Sequence, residues 1–172
     1  MIDSETWGKV PGTADRSIAA VTFDPFDWSH KRKEFYRNVI DERPRDPSTV
    51  SWWSQQSQEA QAVFANPWPV PVGVALRELF QWFREVGAVF VWSHGVGFDI
   101  ARLEYTAAQM WLTVPWDFRN VCDTRTIFRA GAVKVTTRAP WTIKHHALHD
   151  AHNQAHAVEL AFASLALDAK GW

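Results

Sequence analysis

Residues 88–99 read AVFVWSHGVGFD. The first five are a continuous apolar run, without the alternation of a strand that has one wet face. Such a run suits a strand buried on both sides in a parallel sheet. It follows GVALRELFQWFREVG (73–87), where Leu76, Leu79, Phe80 and Phe83 fall at helical spacing and Gly87 takes the C-cap position. It precedes FDIARLEYTAAQMW (98–111), which reads as a second helix. Helix, buried strand and helix form an α/β unit. That unit places Asp99 at the carboxyl end of a strand, where open α/β sheets put their ligands. Gly95 and Gly97 allow close backbone approach there.

Working toward the N-terminus, SIAAVTFDP (17–25) is an apolar, β-branched strand halted at Asp-Pro, and EFYRNVI (34–40) is the next strand. With MIDSET (1–6) they make an antiparallel meander of three strands. After the loop RPRDPSTV (43–50), STVSWWSQQSQEAQAVFA (48–65) reads as one helix, capped by Ser48 or Thr49 and stopped by Asn66-Pro67. PWPVPV (67–72) is a rigid connector. VCDTRTIFRAG (121–131) reads as a short helix, with a further strand near AVKVTT (132–137). The segment 145–169 reads as a long helix with Ala147, Leu148, Ala151, Ala155, Val158 and Leu160 facing inward. The expected fold is α/β: a mixed central sheet, strands 1–3 antiparallel and later ones parallel, flanked by helices. Residues 1–172 are read as a single domain.

Eighteen basic and nineteen acidic residues leave a net charge of −1, so total charge indicates neither a nucleic-acid nor a membrane partner. The lone cysteine, Cys122, precludes an internal disulfide and fits a reducing compartment. No signal peptide is expected, and no run approaches the ~18 apolar residues of a membrane span. Eleven tryptophans are read mainly as packing residues.

Asp3 and Glu5 are two apart and share one strand face. Asp99, Asp123 and Asp150 are the other acids at element ends. Together they suggest a carboxylate cluster at one sheet edge, where like charges need cations. Mg²⁺ or Mn²⁺ suits an all-oxygen donor set. Two such ions ~3.5–4 Å apart support phosphodiester cleavage. Only Met1 and Ile2 precede Asp3, so either the first strand is short or the true start lies upstream, and a frayed strand would hold Asp3 poorly as a ligand.

Three motifs run in order across almost the whole chain: D-x-E-T at Asp3, Glu5 and Thr6; F-D at Phe98 and Asp99; and H-x-A-L-x-D at His145, Ala147, Leu148 and Asp150. In these the chain resembles the DnaQ-like 3′→5′ exonucleases of the ribonuclease H-like fold, DEDDh subgroup. STVSWWSQQSQEA and CDTRT look most like its RNase T-like and RNase AS-like branch, small exonucleases of bacteria and phages. The resemblance implies a metal-dependent 3′→5′ exonuclease acting on RNA or single-stranded DNA 3′ ends. Asp3, Glu5, Asp99 and Asp150 would hold two Mg²⁺ or Mn²⁺ ions, and His145 would be the general base. It also implies a homodimer, in the cytoplasm of a bacterial cell or phage-infected host.

Within one helix His145 and Asp150, five apart, lie about 140° apart, whereas His146 and Asp150 share a face. The motif selects His145, which requires that residue to precede the helix; His146 stays as the alternative. Thr6, Trp7, Trp52, Trp53 and Phe98 are candidate substrate-binding residues, the tryptophans by base stacking. Packing of Trp52 or Trp53 between helix and sheet is the competing reading. His149, His152 and His156 extend a histidine run with the H-x3-H spacing of zinc sites but without the glutamate of H-E-x-x-H, and are expected as exposed helix residues. The alternative to an enzyme is a catalytically weak nucleic-acid- or protein-binding module of the same fold.

Overall fold

The computed structural model describes residues 1–65, 68–134 and 141–171. Strands β1 (Ile2–Thr6), β2 (Asp15–Val21) and β3 (Glu34–Ile40) form the antiparallel meander, and the two-residue β4 (Val70–Pro71) pairs parallel with β3. Strands β5 (Val91–Ser93) and β6 (Val121–Asp123) pair parallel, and β5 lies beside β1. Every residue of β2 is buried, because strands flank it and helices cover both faces.

Six α-helices are described: α1 (Pro47–Ser54), α2 (Gln58–Ala62), α3 (Val72–Glu85), α4 (Asp99–Gln109), α5 (Thr124–Ala130) and α6 (Ala147–Ser164). Helices α3 and α4 bury Leu76, Leu79, Ile100 and Leu103 with Ile2, Ile18 and Ala20 on one side of the sheet. Helices α5 and α6 bury Phe128, Val158 and Phe162 with Met1, Val21 and Trp92 on the other. Alanines 147, 151, 155 and 161 let α6 lie close on its neighbours. A Cβ at Gly131 would meet the Ala161 Cβ at 2.9 Å, so the end of α5 touches α6 directly. Gly87, at φ +68°, ends α3 in the left-handed region where glycine carries no steric cost.

Several local expectations change. The stretch 48–65 is two helices. Asp46, not Ser48 or Thr49, caps α1 through Ser48 N (2.9 Å), and Ser57 starts α2 afresh. Between them Gln56 Nε2 donates to Trp52 O (2.8 Å) and Ser54 Oγ to Ser51 O (2.7 Å), side chains competing for the helix carbonyls. Residues 121–123 are a strand rather than a helix start; their pairing with β5 is non-local, and Asp123 then caps α5 through Arg125 N (2.8 Å). Leu160 is 39% exposed instead of facing inward. Strand β1 does not fray: the Met1 amino group donates to Val21 O (2.8 Å), Val21 N donates back to Met1 O (2.9 Å), and Ile2 sits in the core. Val133 and Lys134 are not in a strand, and the rest of that expected strand, 135–137, lies outside the described residues. Among those residues no helix is long and apolar enough to cross a membrane.

Candidate active site

The strand pleat puts Asp3 and Glu5 on one face of β1, opposite Ala19 and Ser17 of β2. The β5-to-α4 turn, with Gly95 at φ +107°, brings Asp99 to the start of α4 beneath β1. There Asp99 Oδ1 accepts from Ser4 N (3.1 Å) and Ser4 Oγ (2.7 Å). Asp150 sits in the first turn of α6, and one turn further Gln154 Nε2 donates to Asp3 Oδ1 (2.7 Å). Asp123 stays outside this group; its Oδ2 accepts from Val96 N (3.0 Å) and steadies the loop before Asp99.

Electrostatics tie the acids together. Burial raises the Asp3 carboxyl well above its ordinary value, and repulsion from Asp99, Glu5 and Asp150 raises it further against the Gln154 hydrogen bond. Asp99 is pushed up to about 7, chiefly by burial, with the Ser4 hydrogen bonds and Arg102 opposing. Glu5, His145 and Asp150 each present a ligand atom within 4.8 Å of the other two. Four acids that destabilise one another's charge, all offering oxygen, fit hard divalent cations.

The two histidines part company. His145 lies just outside α6 with φ +61°, next to Glu5 and Asp150, as its five-residue offset from Asp150 requires. His146 caps α6 and faces away. Its ring stacks on His149 (4.0 Å between centroids) and leans on Tyr36 (4.8 Å). Burial, with His149 adding to it, lowers His146 to about 4, and its Nδ1 has no hydrogen-bond partner among the described residues. The helix histidines are less exposed than expected. His149 Nδ1 accepts from Ile143 N (2.9 Å), and His152 Nε2 meets Glu34 (2.8 Å); only His156 is exposed.

The aromatic candidates differ. Trp53 is 3% exposed, its Nε1 donates to Thr6 O (2.8 Å), and it packs against Arg16 and Phe64, so its ring is not open to a base. Trp52, its neighbour, is 41% exposed. Trp7 is half-buried beside the guanidinium groups of Arg16 (4.1 Å) and Arg45 (4.5 Å). Thr6 is buried, its Oγ1 donating to Gly8 O (2.7 Å). Phe98 is half-buried at the start of α4, with the Arg102 guanidinium 5.4 Å from its ring centroid.

Sequence reading missed Ser4, Gln154 and Arg16. Arg16 is buried among Trp7, Trp53 and Phe64, and burial lowers it to about 10. Its signal was a lone cation beside an apolar strand. Gln154 carried none beyond its position one turn after Asp150. A cavity of about 460 Å³ lies elsewhere, between Met1, Val21–Phe26 and Val86–Trp92.

Residues 1–162 match the 3'-5' exoribonuclease Rv2179c-like domain. The chain belongs to this family. It is a DnaQ-like 3′→5′ exonuclease, a hydrolase. The fold agrees: a solved structure of Exonuclease X in complex with 5' overhanging duplex DNA superposes with TM-score 0.56 at 18% identity, over 98% of this chain and 93% of that one. No curated protein gives a match. Membership of this exonuclease family implies dependence on divalent metal in general terms.

Proposed function

We propose that this Rv2179c-like exonuclease removes nucleotides from the 3′ end of single-stranded nucleic acid, RNA before DNA, using Asp3, Glu5, Asp99 and Asp150 as metal ligands and His145 as general base. The observation that carries this reading is the convergence of those acids, with His145 beside Glu5 and Asp150. The family's description as exoribonuclease favours RNA.

The four carboxylates would hold two Mg²⁺ or Mn²⁺ ions, which when bound supply a nucleophile at neutral pH and neutralise charge on the scissile phosphate. Ser4 and Gln154 orient Asp99 and Asp3 through neutral donors, so the site keeps its negative charge for cations. His145 takes the proton from the attacking water, a task suited to a neutral imidazole nitrogen. The water oxygen bonds to the terminal phosphorus. The bond to the penultimate 3′ oxygen breaks, and that oxygen takes up a proton from solvent. The products are a nucleoside 5′-monophosphate and a chain one residue shorter, ending in 3′-OH.

The test is incubation of matched RNA and single-stranded DNA oligonucleotides, 5′-labelled or 3′-labelled, with Mg²⁺, Mn²⁺ or EDTA. The expected result is a metal-dependent ladder from the 5′ label and immediate mononucleotide from the 3′ label, faster on RNA. Internal cuts, or equal shortening in EDTA, would overturn it.

A further inference from the structure

His145 is held in an unusual way. Its backbone is left-handed at φ +61°, a conformation that is sterically costly for an ordinary L-residue. Strain of this kind persists where the surroundings over-determine it. Its ring stands edge-to-face against Trp52, with centroids 4.8 Å apart, and more distantly against Trp53 at 6.0 Å. Trp52 and Trp53 are themselves edge-to-face at 4.9 Å. Trp53 is anchored by its hydrogen bond to Thr6 O, directly after Glu5, and by Arg16 against its ring at 4.1 Å. A continuous path of packed groups thus runs from β1 through both indoles to His145. Trp52 is its last member and the exposed one.

We infer that Trp52 is a positioning residue for His145, not a platform for a substrate base. Helix α1 is a brace that fixes the imidazole against Glu5 and Asp150, and Trp52 is the part of it that touches the base. An aromatic pair of this geometry contributes beyond its buried area. Misplacing a catalytic group by about 1 Å can cost up to ~10²-fold in rate without weakening substrate binding. The inference rests on His145 acting as the general base.

A double-mutant cycle tests it, using Trp52→Ala, His145→Ala and the pair, with Trp52→Phe as conservative control. The probe is single-turnover cleavage of a 5′-labelled single-stranded RNA in Mn²⁺, with RNA affinity measured separately in Ca²⁺. Trp52→Ala is expected to slow cleavage by roughly 10-fold to 10²-fold. RNA affinity should stay unchanged, Trp52→Phe should recover most of the rate, and in His145→Ala the Trp52 change should cost nothing further. In the metal-free protein, Trp52→Ala should move the His145 ring proton resonances, because a ring current has been removed. Weakened RNA affinity with an intact cleavage rate would overturn the inference in favour of base stacking. So would full additivity of the two substitutions, or unmoved His145 resonances. Near-normal cleavage by His145→Ala would instead remove the general-base assignment itself, and the inference with it.

Discussion

Two buried clusters of acids flank the β1–β2 pair, and helix α4 serves both. In the first, Asp15 and Asp41 are met by Arg43 (2.9 Å to Asp15) and Asp15 by Arg102 (2.8 Å). Arg102 also holds the carbonyls of Gly8, Val10 and Thr13 in the β1–β2 loop. Burial alone would raise both acids: the hydrogen bonds from Arg43 and from the Asp15 backbone hold Asp41 below its usual value, whereas Asp15, more deeply buried, stays raised against the pull of Arg102 and Arg43. In the second cluster, Asp99 lies one turn before Arg102 on the same helix, yet among the described residues the hydrogen bonds to its Oδ1 and to that of Asp3 come from neutral donors, Ser4 and Gln154. Both acids are pushed up. A buried charge matched inside the protein ties a loop to a helix. A buried charge met by neutral donors is a place for cations from solution.

The contrast can be broken from either side. The largest expected effect is on turnover. Asp99→Asn or Asp150→Asn should lower cleavage by about 10³-fold or more, the worth of several kcal/mol of lost metal assistance. Circular dichroism should show an intact fold. Near-normal cleavage in either variant would sink the two-metal reading.

In the matched cluster the damage should fall on stability instead. Arg102→Met leaves Asp15 with Arg43 alone and takes the donor from the loop carbonyls, and should cost about 3–5 kcal/mol in urea unfolding. A loss under about 1 kcal/mol would mean that Arg43 alone suffices to hold that corner.

A third experiment sharpens the comparison through pH. The Asp99 carboxyl, at about 7 when folded against an ordinary 3.8, binds a proton in the native state where the unfolded chain has released it. The stability it contributes is present below pH 4 and is lost as pH rises to 7. Asp99→Asn has no such loss. In metal-free buffer the stability of this variant relative to wild type should therefore grow between pH 4 and 7, by a few kcal/mol at most (about 1.4 per pKa unit). A flat difference across that window would show that Asp99 ionises at no cost.

The smallest effect is the rise in wild-type stability on adding Mn²⁺, about 2.7 kcal/mol at a hundredfold excess over Kd. It should shrink in Asp99→Asn and persist in Gln154→Ala, read by thermal melting. Equal shifts in wild type and Asp99→Asn would place the ions elsewhere.

What the sequence could determine was whatever repeats at short range. The meander is legible in the apolar run of 17–21 and in the alternation of 34–40, and the turn that delivers Asp99 follows from a buried strand preceding a helix. Asp3 and Glu5 share a face because a pleat has period two. The family motifs marked the five residues proposed for the site, and the structure brings them together. Tertiary structure decided the rest. Whether 48–65 was one helix or two turned on Ser and Gln side chains competing for carbonyls over a single turn. Residues 121–123 became a strand only because β5 lies alongside, a pairing too short to leave a period. Which of the two histidines stands beside Glu5 and Asp150 rested on one left-handed residue and two indoles packed against it. Gln154 carried no signal, and the lone cation at Arg16 did not name its partners, because these stand 151 residues away in the first case and on several separate elements in the second. Local chemistry sets periodicity and caps; the meaning of a buried polar group is set by its partners, and those are brought to it by the fold.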